Sequence, residues 1–123
     1  MEVKKVYNLE ERTFEFAKAV RIMVSKLHKT ISNIEDGKQV VRSSGSVGAN
    51  YIEANESLSV KDFEYRIRVC RKEAKESTYW LRLIESLNKS NESPEIESLI
   101  AESLELRKIL TAILEKSKRT VQN

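Results

Sequence analysis

Within Arg42-Ser43-Ser44-Gly45-Ser46-Val47-Gly48-Ala49-Asn50-Tyr51-Ile52-Glu53-Ala54, the residues Ser44, Gly45, Gly48, Ala49 and Ile52 recur at three- and four-residue steps. A helix there presents almost no side-chain bulk on one face. Each glycine inside a helix costs about 1 kcal/mol relative to alanine. A soluble helix that carries two of them gains close approach of a neighbouring backbone, so this segment is expected to be the thin-faced member of a tightly packed bundle.

The remaining composition suits such a bundle. One Pro and three Gly in 123 residues, with 33% charged and 40% hydrophobic residues, is the balance of long amphipathic helices in one domain, 1–123. Cys70 is alone, which rules out an intramolecular disulfide and a Cys-based metal site and suits a reducing cytosol. No apolar run approaches the roughly 20 residues that cross a bilayer, and Met-Glu-Val-Lys-Lys-Val-Tyr-Asn is not the apolar segment of a signal peptide. The expected location is therefore cytoplasmic, away from membranes. The net charge of +3, from 22 basic and 19 acidic residues, identifies no partner by its size; only its distribution is informative.

Four helices are predicted, at about 9–31, 38–55, 60–88 and 94–116. Asn8 is the expected first N-cap, and Phe16, Val20, Met23, Val24, Leu27 and Ile31 form one buried stripe. Ser32-Asn33-Ile34-Glu35-Asp36-Gly37 reads as the first turn, and Ser59 as the N-cap of the third helix. Phe63, Ile67, Cys70, Ala74, Ser77, Leu81, Ile84 and Asn88 alternate steps of four and three, a coiled-coil-like seam. A second apolar line through Val69, Trp80, Leu83 and Leu87 places this helix centrally or against a second subunit. Ser93-Pro94 starts the fourth helix, carrying Ile96, Leu99, Ile100, Ser103, Leu106, Leu110, Ile113 and Ser117, and residues 118–123 read as a disordered tail. Short connections favour antiparallel neighbours, hence an all-α, antiparallel up-down-up-down four-helix bundle.

Such bundles can hold two metal ions, but that site needs Glu-x-x-His pairs on two helices, and the single histidine, His28, does not follow a Glu by three residues. Arg42, Asn50 and Glu53 on the second helix with Glu73 and Glu76 on the third form a polar cluster, expected to fix helix register through paired charges. Paired carboxylates also serve acid-base catalysis, yet no activated nucleophile, metal set or phosphate loop accompanies them. The expectation is a non-enzyme with no catalytic residues, metal or cofactor. Arg68, Arg71, Lys72, Lys75 and Arg82 form a basic band beside Tyr65 and Tyr79. Cations beside aromatic rings suit single-stranded nucleic acid, whereas Glu64, Glu73 and Glu76 at salt-bridge spacing suit an ordinary solvated face.

Gln39-Val40-Val41-Arg42-Ser43-Ser44-Gly45-Ser46-Val47-Gly48-Ala49-Asn50-Tyr51-Ile52-Glu53 resembles the Q-x-x-R-S-x-x-S-I-x-x-N-I-x-E signature of the four-helix bundle proteins encoded in intervening sequences of bacterial 23S ribosomal RNA genes. Asp62-Phe63 and Lys72-Glu73-Ala74-Lys75-Glu76-Ser77-Thr78-Tyr79-Trp80-Leu81 look like the matching block of the third helix, and Phe14, Phe16 and Ala17 fit the first. Tyr51 stands where many members have Ile, and Ala54 where many have Gly. The resemblance implies a helical bundle commonly assembled into a ring of five. The chain is also similar to the accessory protein of diversity-generating retroelements, a basic pentameric barrel that engages a reverse transcriptase and nucleic acid. With the basic band, this leads to the expectation of a homo-oligomer that binds nucleic acid, RNA rather than DNA. Its contacts would be Arg66, Arg68, Arg71, Lys72, Lys75 and Arg82, with Lys18, Arg21 and Lys29 from the first helix. The alternative is a scaffold that recruits a protein partner through Trp80, Leu83 and Leu87.

Overall fold

The Asn8 side chain accepts the backbone N–H of Glu11 at 3.1 Å, and this cap starts α1, Leu9–Ser25. Thr30 does the same for the N–H of Asn33 at 3.1 Å, starting α2, Ile31–Asn55. Ser59 caps the N–H of Asp62 at 3.1 Å, starting α3, Val60–Leu87, and α4 runs over Pro94–Gln122. Each hydroxyl or amide oxygen satisfies a donor that the first helical turn leaves without an internal partner. The computed structural model describes residues 8–89 and 94–122. The lead-in at 1–7 and the Ser93 cap expected before Pro94 lie outside the described residues.

Two boundaries differ from expectation. The first connection is Lys26–Thr30, and Ser32–Gly37 is helical rather than a turn. The Thr30 cap starts α2 ahead of those turn-forming residues, and Gly37 serves packing: a Cβ there would lie 3.0 Å from Val24 Cγ1. Ile31, expected in the stripe of α1, is instead the first residue of α2 and 84% exposed. At the other end, α4 continues through Lys118 and Arg119 to Gln122, where a tail was expected, and Asn123 lies outside the described residues.

The four helices form an all-α bundle. Along each of three neighbouring pairs of helices the contacts run in opposite order, as antiparallel neighbours require. Asn33 meets Asn88, Ser43 meets Ser77 and Asn50 meets Arg66 between α2 and α3. Thr78 meets Ser103 and Glu64 meets Ser117 between α3 and α4. Arg12 holds Glu102 through two hydrogen bonds of 2.7 and 3.0 Å, and Lys26 reaches Glu95 at 3.1 Å, along α1 and α4.

The seam foreseen on α3 is the centre of the core. Ile67, Cys70, Ala74, Ser77, Leu81 and Ile84 are fully buried, packed with Val20, Val40, Val47, Leu106 and Leu110. Burial pushes the Cys70 thiol up to about 12, so it behaves as a small apolar side chain. At one end of the bundle Asn33 and Asn88 exchange amide hydrogen bonds of 2.8 Å each, with further bonds to the carbonyls of His28 and Ile84. That pair ties the start of α2, the end of α3 and the first connection together.

The thin face of α2 lies against α1. A Cβ on Gly48 would come within 2.8 Å of Thr13 Oγ1 and 3.2 Å of its Cβ, whereas one on Gly45 would meet only the far end of Arg21, at 3.0 Å. Ala49 and Ile52 lie on the solvent side of that face. The two glycines are therefore expected to respond in opposite directions. Gly45→Ala raises stability by up to about 1 kcal/mol, the helix-propensity gain, because the Arg21 guanidinium can swing aside. Gly48→Ala lowers it, because Thr13 is buried and its hydroxyl is bonded to the Leu9 carbonyl at 2.7 Å. Urea unfolding of the two variants beside the parent protein measures both signs.

Candidate functional site

Helical spacing sets Arg68, Arg71, Lys72 and Lys75 along the α4 side of α3. The antiparallel register then places Arg107, Lys108, Thr111 and Glu115 of α4 opposite them, with Leu104 and Ala112 completing the lining. The result is an open groove of about 950 Å³ that holds six cationic side chains and one carboxylate. Two of the six are engaged by acids outside it: Arg68 lies 4.0 Å from Glu64, and Lys108 lies 3.5 Å from Glu105. Arg71 donates to the Thr111 hydroxyl at 3.5 Å. Among the described residues, Lys75 and Arg107 form no ion pair.

The expected nucleic-acid residues do not form one surface. Four of the nine meet in this groove. Arg66 turns toward α2, where it is half-buried and donates to Asn50 Oδ1 at 2.9 Å, away from the groove. Arg82 is exposed further along α3, and Lys29 lies in the α1–α2 connection. Lys18 and Arg21 line a separate hollow on α1 with Phe14 and Ile22, and Arg21 donates to the carbonyls of Ala17 and Val41. Tyr65 sits beside Arg66, 5.8 Å from its guanidinium, while Tyr79 is 57% exposed with its ring edge toward Trp80. Arg107 and Lys108 were not foreseen. The signal for them was the register of α4 against α3, which its amphipathic pattern alone does not supply.

The polar cluster also divides. Arg42 pairs with Glu76 and, at 3.3 Å, with Glu73, across α2 and α3 of one chain. The Glu73 contact is an ion pair without hydrogen-bond alignment, since Glu73 Oε1 is buried and accepts no hydrogen bond. Asn50 belongs to a second group, with Ser46 and Arg66. Glu53 joins neither: it is exposed, three turns along α2 from Arg42. Sharing a helical face is not contact when the residues are that far apart along the axis.

By its fold the protein is an all-helical four-helix bundle. A family model described as 23S rRNA-intervening sequence protein matches residues 5–112, and the chain belongs to that family. It is similar to a solved protein of unknown function from the S23 ribosomal protein family of Bacteroides thetaiotaomicron. That likeness is 28% in identity over 85% of this chain and 96% of the other, with a TM-score of 0.74. No curated protein matches. No helix among the described residues is long and apolar enough to cross a membrane.

The Arg42–Glu76 pair has a testable pH signature. The Trp80 indole N–H, at 3.1 Å, and then the Arg42 guanidinium hold the Glu76 carboxyl below the usual carboxylate range, against the opposing effect of desolvation. A lowered folded-state value stabilises fully above the unfolded-state value of about 4.3, and the stabilisation disappears as pH falls through the folded-state value. Glu76→Gln should therefore lower the melting temperature at about pH 7, with the gap to the parent protein narrowing toward about pH 3. A gap that does not change with pH would show that the charge on Glu76 adds nothing to the fold.

Proposed function

We propose that the protein is a non-enzymatic RNA-binding bundle whose α3–α4 groove holds the phosphate backbone. The observation that carries this is the convergence of Arg68, Arg71, Lys72, Lys75, Arg107 and Lys108 from two helices into one groove with a single carboxylate. Like charges brought that close repel one another, and an anionic strand relieves the repulsion while releasing its own counterions. The family's link to 23S rRNA makes RNA the favoured polyanion. The hydroxyls of Ser43 and Ser44 are buried and engaged by Ser77 and the Val41 carbonyl, and the Cys70 thiol is buried. These groups are structural, which supports a binding role over a catalytic one.

The reading includes assembly of several copies in the cytoplasm. Phe14, Ile22 and Ile52, 60%, 47% and 49% exposed, flank the α1–α2 seam and offer apolar surface for it. Several grooves in one particle would add their fields. Light scattering that returned the mass of one chain would remove this part. The scaffold alternative has less support. Trp80 is half-buried and its N–H is engaged by Glu76, Leu83 is half-buried, and of that apolar line Leu87 alone stands well exposed, at 62%.

Replacing Arg71, Lys75 and Arg107 together by Ala tests the groove. If each contacts a phosphate, the slope of log affinity against log salt should flatten by about 2, at roughly 0.7 per contact on a single strand. Helicity should be unchanged, because none of the three lies in the core. RNA affinity and salt slope equal to the parent protein's would dismiss the groove as the binding surface.

A further inference from the structure

The groove is not uniform along its length. Arg71 donating to Thr111 at 3.5 Å and Ser117 donating to Glu64 at 2.9 Å set its register. Glu115, one turn beyond Thr111, therefore lies at the Arg68 end, where Glu64 is also found. The opposite end has no carboxylate in its lining, and the nearby Glu105 is held by Lys108 at 3.5 Å. There Leu104 of the lining is 41% exposed, and Tyr79, one turn beyond Lys75 on α3 and just outside the lining, is 57% exposed. Acid, then cations, then apolar and aromatic surface succeed one another over about 17 Å of α4, at 1.5 Å per residue.

A base-paired helix shows its phosphates outward and keeps its bases stacked within, so it could use only the cationic middle. An unpaired strand has a charged backbone and free base faces together, and base faces stack on exposed aromatic rings. Resting on the phosphate-binding role proposed above, we infer that the groove takes an unpaired segment of RNA. Its phosphates lie along Arg71, Lys75 and Arg107, and a base lies on the Leu104–Tyr79 end. The strand leaves the groove at that end, away from the carboxylate of Glu115. Tyr65 takes no part, because it stands beside Arg66, which turns toward α2, and three residues before Arg68, at the opposite end from Tyr79.

The test uses a fluorescein-labelled oligouridylate and a perfectly paired RNA duplex of equal length, titrated with the intact protein at several salt concentrations. The single strand should bind about tenfold more tightly than the duplex. Tyr79→Ala should weaken single-strand binding by about tenfold, the usual scale for loss of one stacked base, with the salt slope unchanged. Tyr79→Phe should retain most of the affinity. Leu104→Gln, on a separate helix, gives a second measurement at the same end and should weaken the single strand alone. Trp80, the one tryptophan, has its ring 5.0 Å from Tyr79, so its fluorescence should respond to the single strand and not to the duplex. Equal affinity for strand and duplex, both reduced when Arg71, Lys75 and Arg107 are replaced, overturns this inference and leaves phosphate binding standing. Loss of neither ligand in that triple variant, or no binding of either by the parent protein, overturns both.

Discussion

The fold depends on how little side chain stands between its helices at the middle of the bundle. On one side of α2, Gly48 lets the helix close on Thr13 of α1. On the other, Ser43 meets Ser77 at 2.8 Å, and the neighbouring Thr78 meets Ser103 of α4 at 2.7 Å. Small hydroxyl residues thus make a belt across three helices where larger apolar side chains would hold them apart. Buried hydroxyls are costly unless paired. Here Ser77, Thr78 and Ser103 also reach carbonyls of their own helices, at Glu73, Ala74 and Ile100. A slide of one helix by a turn would separate these partners and leave the groups buried and unsatisfied, so the belt fixes register more than it adds net stability.

Register is what the surface inherits. Once Thr78 faces Ser103, the positions of α3 and α4 that point outward beside the seam are determined, and Lys75 and Arg107 fall on opposite banks of one groove. The same logic sets Arg42 against Glu73 and Glu76 on the far side of α3. One helix therefore carries two polar surfaces with different roles. Its α2 side is largely neutralised within the chain, and its α4 side is left with an excess of positive charge.

Much of the fold was legible because it follows from local chemistry. Asn8 and Ser59 cap as their types and positions suggested, and the four-three rhythm from Phe63 to Asn88 marks the centre of the core. The errors arose where a residue's usual preference was overridden by a tertiary contact. Gly37 and its Asn and Asp neighbours read as a turn, yet Gly37 packs on Val24 and Asn33 pairs with Asn88. The polar run after Lys116 read as a tail, yet it continues α4. For the candidate site, four cations on α3 could be read from their spacing, whereas their partners on α4 could not. Arg107 and Lys108 look like ordinary surface residues until the register of α4 is known. The same gap hid that Glu53 stands exposed, apart from the Arg42 pairs, and that Arg66 turns toward Asn50 of α2, because contacts supply depth information that a helical face does not.

The fold asks little of the groove's cations: Arg71 reaches Thr111 across the groove, Arg68 lies near Glu64 and Lys108 near Glu105, and none of the six is in the core. The core lies behind them, where Leu81, Leu106 and Leu110 are buried, and the Thr78–Ser103 and Glu64–Ser117 bonds join α3 to α4 beside the Arg71–Thr111 bond. Surface charges of one sign destabilise a compact chain, and mixed signs at the same positions would serve solubility as well. Elsewhere this protein does mix them: Arg12 with Glu102, Lys26 with Glu95 and Lys38 with Glu35 are exposed or half-buried pairs of the ordinary kind. A net charge of only +3 over the chain therefore conceals a local excess in the groove, where Glu64 and Glu105 engage two of six cations and Glu115 is the one carboxylate of the lining. Such an excess is what the proposed RNA-binding role would use, because an anionic strand offsets charge that the chain itself leaves unpaired.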